Sequence, residues 1–175
     1  MTLHLAKSYP SLAQRVTSVD QTSLKNLLTT RFGVPSEVLQ DVHFFQSNRR
    51  SVSIVNADHR DLSDQSEAHG IAFAYIDSAV PKLTTAAVSF LGHHATSSVV
   101  ALESSDQADA FLSRAKINLS ATPSCTKGYV VVRFDGLTLG LGILRVDAEG
   151  RATVESCYPK AWAIEEGSTA FGAGE

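Results

Sequence analysis

The chain has 175 residues, of which 43% are apolar and 19% charged. That is globular composition, enough for one domain or two small packed ones, and it argues against disorder. No apolar run approaches bilayer-spanning length, and a formal charge of −3 withholds the basic surplus by which a nucleic-acid binder usually announces itself. Through Lys160, 15 basic side chains meet 15 acidic ones, and the remaining acids, Glu165, Glu166 and Glu175, lie in the tail. "MTLHLAKSYPSLAQR" lacks the apolar core and cleavage site of a secretory leader. Cys125 and Cys157 have no metal spacing and are too few for a disulfide scaffold. A reduced, cytoplasmic protein is expected.

Residues 10–32 read as a helix, with Leu24, Leu27, Leu28 and Phe32 at helical spacing. Gly33 closes it, and Pro35 opens a short second helix with Glu37 in its first turn. "HFFQSNRRSVSIVNAD" predicts a hairpin whose turn is "QSNRR". Residues 57–69 are polar and aperiodic, a loop or a linker.

A second unit is expected from Gly70. "GIAFAYID" is strand-like, Thr84 and Thr85 can cap a helix ending near Gly92, and "SSVVALES" is a strand. "SSDQADAFLSRAK" is a helix with Ser104 or Ser105 as N-cap and Asp106 and Asp109 near its positive end. "GYVVVRFDG", "LTLGLGILRVD" and "ATVESCYPKAWA" supply closely spaced strands, with Asp135-Gly136 and "DAEG" as turns. The pattern β-α-β-α-β-β-β suggests a small, mixed, partly closed sheet with two helices. The tail, 164–175, is expected to be mobile. Within "YVVVRFDGLTLGLGILR", three glycines replace the branched residues of a buried strand. Gly136 is expected to make the turn, and Gly140 and Gly142 to let strand pack closely on strand where the sheet curves.

"GYVVVRFDGLTLGLGIL" resembles the closing hairpin of PUA domains, RNA-binding modules named for pseudouridine synthases and archaeosine transglycosylases. "VPKLTTAAVSFLGHHATSSVVAL" and "SCYPKAWA" resemble segments of the PUA-like appendage of Fmu/Sun-type RNA cytosine-5 methyltransferases. The first of these also resembles the Nip-type ribosome-biogenesis factor. "LLTTRFGVPSEVLQDVHFFQSNRRSVSIVN" is similar to the pre-PUA unit of the same group. The resemblance covers about residues 24–162 and implies an α+β protein. Its units would be an N-terminal α/β pre-PUA unit, residues 1–69, and a PUA-like small mixed β-barrel with two helices, residues 70–163, before a flexible tail. It implies RNA binding in rRNA or tRNA modification or in ribosome biogenesis, beside an RNA-modifying enzyme or a ribosome-assembly protein and away from membranes.

Catalytic chemistry is not expected. There is no Gly-rich nucleotide loop and no Ser-containing nucleophile elbow. The methyltransferase half of the resembling proteins is missing, both its cofactor-binding strand–loop–helix and its proline-cysteine nucleophile. No cofactor or metal is implied. Adjacent His93 and His94 on a helix end would point roughly 100° apart, poor joint ligands. They close a helix C-terminus, or His93 stacks on a base or meets a phosphate. His59 and His69 are expected to be solvent-exposed spacers. Lys82, Thr84 and Thr85 at a helix start offer a phosphate seat, or are a plain N-cap with a solvated lysine. Arg133 alternates with Val132 and Phe134 and so should face away from the core; Arg145 and Lys160 lie on later strands. A sheet that gathered Lys82, Arg133 and Lys160 would make a basic patch despite the neutral sum; otherwise each is an ordinary charged outer residue. Arg49-Arg50 extend that patch or sit in a solvated turn, and Trp162 is expected to anchor the rim. Two functions stay open: a non-enzymatic RNA-binding module, or a protein-interaction module of the same fold that does not bind RNA.

Overall fold

A computed structural model of the chain describes residues 21–58, 70–77, 80–165 and 168–171. Helix α1, Gln21–Phe32, buries Leu24, Leu28 and Phe32, one residue per turn along a single stripe. The part of this helix expected over 10–20, like the loop expected over 59–69, lies outside the described residues. Gly33, at φ +63°, ends α1, and its N–H bonds the carbonyl of Thr29. Pro35 then precedes a 3-10 turn, Ser36–Leu39. Strands β1, Val42–Asn48, and β2, Ser51–Asn56, form the expected antiparallel hairpin around Arg49-Arg50.

Strands β3, Ile71–Tyr75, and β4, Lys82–Leu83, complete this first sheet in the order β1-β2-β3-β4. Both strands lie after Gly70, where the sequence leads one to expect a second unit. A bulge between β2 and β3 sets Phe73 against no single partner, so that Phe73 and Ala74 are both fully buried. Local sequence cannot report which sheet such a strand joins.

The second sheet takes β5, Val99–Leu102; β6, Lys116–Asn118; β7, Gly128–Phe134; β8, Leu137–Val146; and β9, Ala152–Ser156. Their order is β5-β7-β8-β9-β6, with β5 parallel to β7 and the other pairs antiparallel, and the sheet curls into a half-barrel. Helix α2, Thr85–Leu91, joins the two sheets, and α3, Ser105–Leu112, packs on the second. The Ser104 side chain caps α3 by accepting from the Gln107 N–H. The protein is therefore α+β, with three α-helices and two sheets among the described residues.

Strand β7 is buried on both faces, which explains its unbroken apolar run. Val131, with Leu141 of β8, points into a core shared with α1, α2 and the first sheet. Val130 and Val132 point the other way, onto Phe111, Leu144 and Val154. Each fully buried aliphatic side chain contributes about 1.5–3 kcal/mol, so this strand binds the two halves together. The hairpin glycines separate by role. Asp135 and Gly136, at φ +47° and +76°, form a two-residue turn with both residues left-handed. A Cβ on Gly142 would lie 2.8 Å from Val154 Cγ1 and 2.9 Å from Val132 Cγ2, so close packing excludes one. One on Gly140 would meet the Phe111 ring at 3.3 Å.

Residues 168–171 of the tail are tied to α3 and β7. The N–H groups of Ala170 and Phe171 donate to Asp109 Oδ1, at 2.8 and 3.3 Å, and the Phe171 ring meets Phe134 edge-on at 5.2 Å. Asp109 is accordingly buried and serves this tie, where the sequence suggested a charge at the helix start.

Candidate nucleic-acid interface

Of the seven residues expected to contact RNA, Thr84, Arg133 and Arg145 make contacts within the protein. At the start of α2 the Thr84 hydroxyl is already occupied: it donates to the Ala72 carbonyl at 2.6 Å and accepts from the Ala87 N–H at 3.1 Å. Thr85 follows, half-buried. The plain N-cap is the role these contacts support, and Thr84 also fastens α2 to β3.

Arg133 is spent on the protein itself. Its Nη2 donates to the carbonyls of Gly92 and, at 2.8 Å, Ala95, while its Nε is buried without a hydrogen-bond partner. The guanidinium thus closes the C-terminal end of α2, where carbonyls lack helical partners and the dipole favours a cation. Alternation along β7 puts Arg133 on the same face as Val131, toward the core side and under the end of α2, and not away from the core as expected. Arg145, on β8, pairs with Glu155 of β9 at 2.8 Å. His93 and His94 sit in the turn beyond α2, not on the helix, so the 100° argument does not apply; their rings lie 3.7 Å apart, tilted by 43°. His93 is exposed.

Lys82 and Lys160 remain, and Arg114 and an aromatic pair, Tyr158 and Trp162, belong to the chain around Cys157 and Lys160. Burial pushes the Cys157 thiol pKa up; the charges of Lys82 and Arg114 pull it back, and that of Glu155 adds to the rise. Arg114 Nη1 donates to the Tyr158 carbonyl at 2.6 Å. The Tyr158 ring meets Trp162 edge-on with centroids 6.4 Å apart, and Lys160 lies between them in sequence in a 3-10 turn, Lys160–Trp162. Trp162 is 60% exposed, so it is no rim anchor. Its ring stands in solvent, braced by Tyr158.

Arg114 escaped the sequence reading because it looks like an ordinary helix-end arginine. Its backbone is left-handed, φ +68°, at the position after the α3 cap. The bonds Arg114 N–H to Phe111 O and Ala115 N–H to Ala110 O close the helix in a Schellman arrangement, where glycine is usual. An arginine there bears about 1 kcal/mol or more of backbone strain. The missing glycine after "FLS" was the available signal.

Among the described residues no group of three or more His, Cys, Asp or Glu side chains is placed to hold a metal ion, and no helix is long and apolar enough to cross a membrane. No protein-family model matches this chain, and no curated protein matches it.

Proposed function

We propose that the protein is a non-enzymatic RNA-binding module of PUA-like architecture. It acts on structured rRNA or tRNA during RNA modification or ribosome assembly, alongside a modifying enzyme or an assembly protein. One observation carries the reading. Lys82 and Arg114 act on Cys157, Lys160 follows in the same short segment, which also presents a largely exposed tryptophan, and the nearby Glu155 carboxylate is paired with Arg145. Cations track phosphates, and an exposed aromatic face stacks on an unpaired base. A neutral chain can carry such a patch because affinity depends on local charge, whereas net charge governs long-range steering.

Trp162 is the sole tryptophan, so its emission is a direct probe. Titration with a structured rRNA or tRNA fragment is expected to quench it. Log affinity should fall with log salt at a slope of about −2 for three phosphate contacts. Lys82→Glu and Lys160→Glu should each flatten that slope by about 0.7, and Trp162→Ala should weaken binding by about 1–3 kcal/mol. No retention of RNA at low salt would refute the reading. The near-neutral charge keeps one rival, a protein-interaction module of the same fold; a stable protein partner insensitive to nuclease, with no RNA retained, would establish that instead.

A further inference from the structure

A cleft of about 560 Å³ opens where the end of α1, the segment 96–99 and the loop 123–126 meet. It shares no residue with the Lys82–Trp162 patch. Among the described residues its walls carry one full charge, Arg31, and a set of hydroxyls including Ser97, Ser98, Ser124 and Thr126, with no carboxylate. We infer that this cleft is a binding site for a phosphate monoester, which Arg31 would pair with and the surrounding serine and threonine hydroxyls would hold.

The arginine is fixed in place before any ligand arrives. Its Nη2 donates to the carbonyls of Lys127, at 3.1 Å, and Tyr129, at 3.0 Å, so β7 holds the guanidinium. Its Nε is buried and has no hydrogen-bond partner. With Nη2 bonded to two carbonyls and Nε out of solvent reach, an oxyanion in the cleft would meet the arginine through its remaining Nη1, as a single charge-assisted contact. The thiol in the cleft wall does not oppose this. Burial raises the Cys125 pKa and outweighs the lowering by Arg31, so the cleft holds no thiolate to repel an anion. Thr30 and Thr96 spend their hydroxyl hydrogens on the carbonyls of Asn26 and Gly33. The serines and Thr126 are therefore the natural donors. The volume falls within the span of small-ligand sites, about 300–1,000 Å³, and exceeds what bare phosphate fills. That favours an ester with an organic part, either a free mononucleotide or the 5′-phosphorylated end of an RNA.

The inference does not rest on the RNA-binding reading, and one experiment separates them. Amide chemical shifts of the full chain are followed while inorganic phosphate, then uridine 5′-monophosphate, is added against chloride at matched ionic strength. Saturable shifts confined to 97–98 and 124–126, tighter for the nucleotide than for phosphate, are expected. Ser124→Glu places a carboxylate in the cleft from an exposed loop position and should weaken binding at least about tenfold, while Lys160→Glu should leave it unchanged. A 5′-phosphorylated oligonucleotide outcompeting its 5′-hydroxyl twin would identify an RNA end as the source; equal competition by the two, with the mononucleotide still bound, would identify a free metabolite. Shifts that track chloride equally, that persist in Ser124→Glu, or that map to Lys82 and Lys160 would overturn the assignment.

Discussion

Replacing Arg133 by leucine tests whether this arginine holds the fold or contacts RNA. The side chain makes two charge-assisted bonds to carbonyls of the turn after α2, and such bonds contribute about 1.5–3 kcal/mol each. Its removal also relieves the buried, unmatched Nε, returning about 1–3 kcal/mol. The expected net loss is about 2–4 kcal/mol. At about 2–4 °C per kcal/mol for a chain of this size, Tm should fall by roughly 5–15 °C. Thermal unfolding followed by circular dichroism reads this directly. RNA affinity, measured well below the lowered Tm, should stay at the wild-type level, since the guanidinium is already committed. Lysine at the same position should recover part of the loss, because it restores the charge but not the fork that reaches two carbonyls. An unchanged Tm would refute the structural assignment. A tenfold loss of RNA affinity at unchanged Tm would place Arg133 back in the interface.

The two hairpin glycines should separate by substitution. Gly142→Ala should lose about 1–3 kcal/mol through overpacking against Val132 and Val154. Gly136→Ala, with open space around it, should lose about 1–2 kcal/mol through its left-handed backbone alone. Asparagine should be the milder choice at 136 and the harsher at 142; urea midpoints showing the reverse order would refute these roles. Asp109→Ala should release residues 170–171 from α3, read as faster protease cleavage of the tail at little change in the body. The Cys157 pKa is raised chiefly by burial, so its contribution to stability is present below the ordinary thiol pKa and is lost as pH rises through the higher folded value. Cys157→Ser should flatten that alkaline decline; an identical pH profile in the variant would remove Cys157 as its source.

What the sequence by itself determined is local. The cap at Thr84, the end of α1 at Gly33, the Arg49-Arg50 hairpin and the Asp135-Gly136 turn each depend on a few neighbouring residues, and each is found where its residue types demand it. The Leu24–Leu28–Phe32 stripe and the strands of the second half follow from periodicity for the same reason. Sheet membership was not legible. β3 pairs with β2 and β4 with β3, and the core shared by Val131 and Leu141 also takes in α1, α2 and the first sheet. The candidate site was legible only in part. Lys82 and Lys160 could be named as cations, but whether a cation is free depends on what lies opposite it. Arg133 meets two carbonyls and Arg145 meets Glu155, whereas Arg114 reaches the Tyr158 segment beside an exposed Trp162. The same holds for Arg31, whose cleft is assembled from segments some 65 and 95 residues further along the chain. Residue type is written in the sequence; the partner that commits or frees each charge comes from distant chain, and only tertiary packing supplies it.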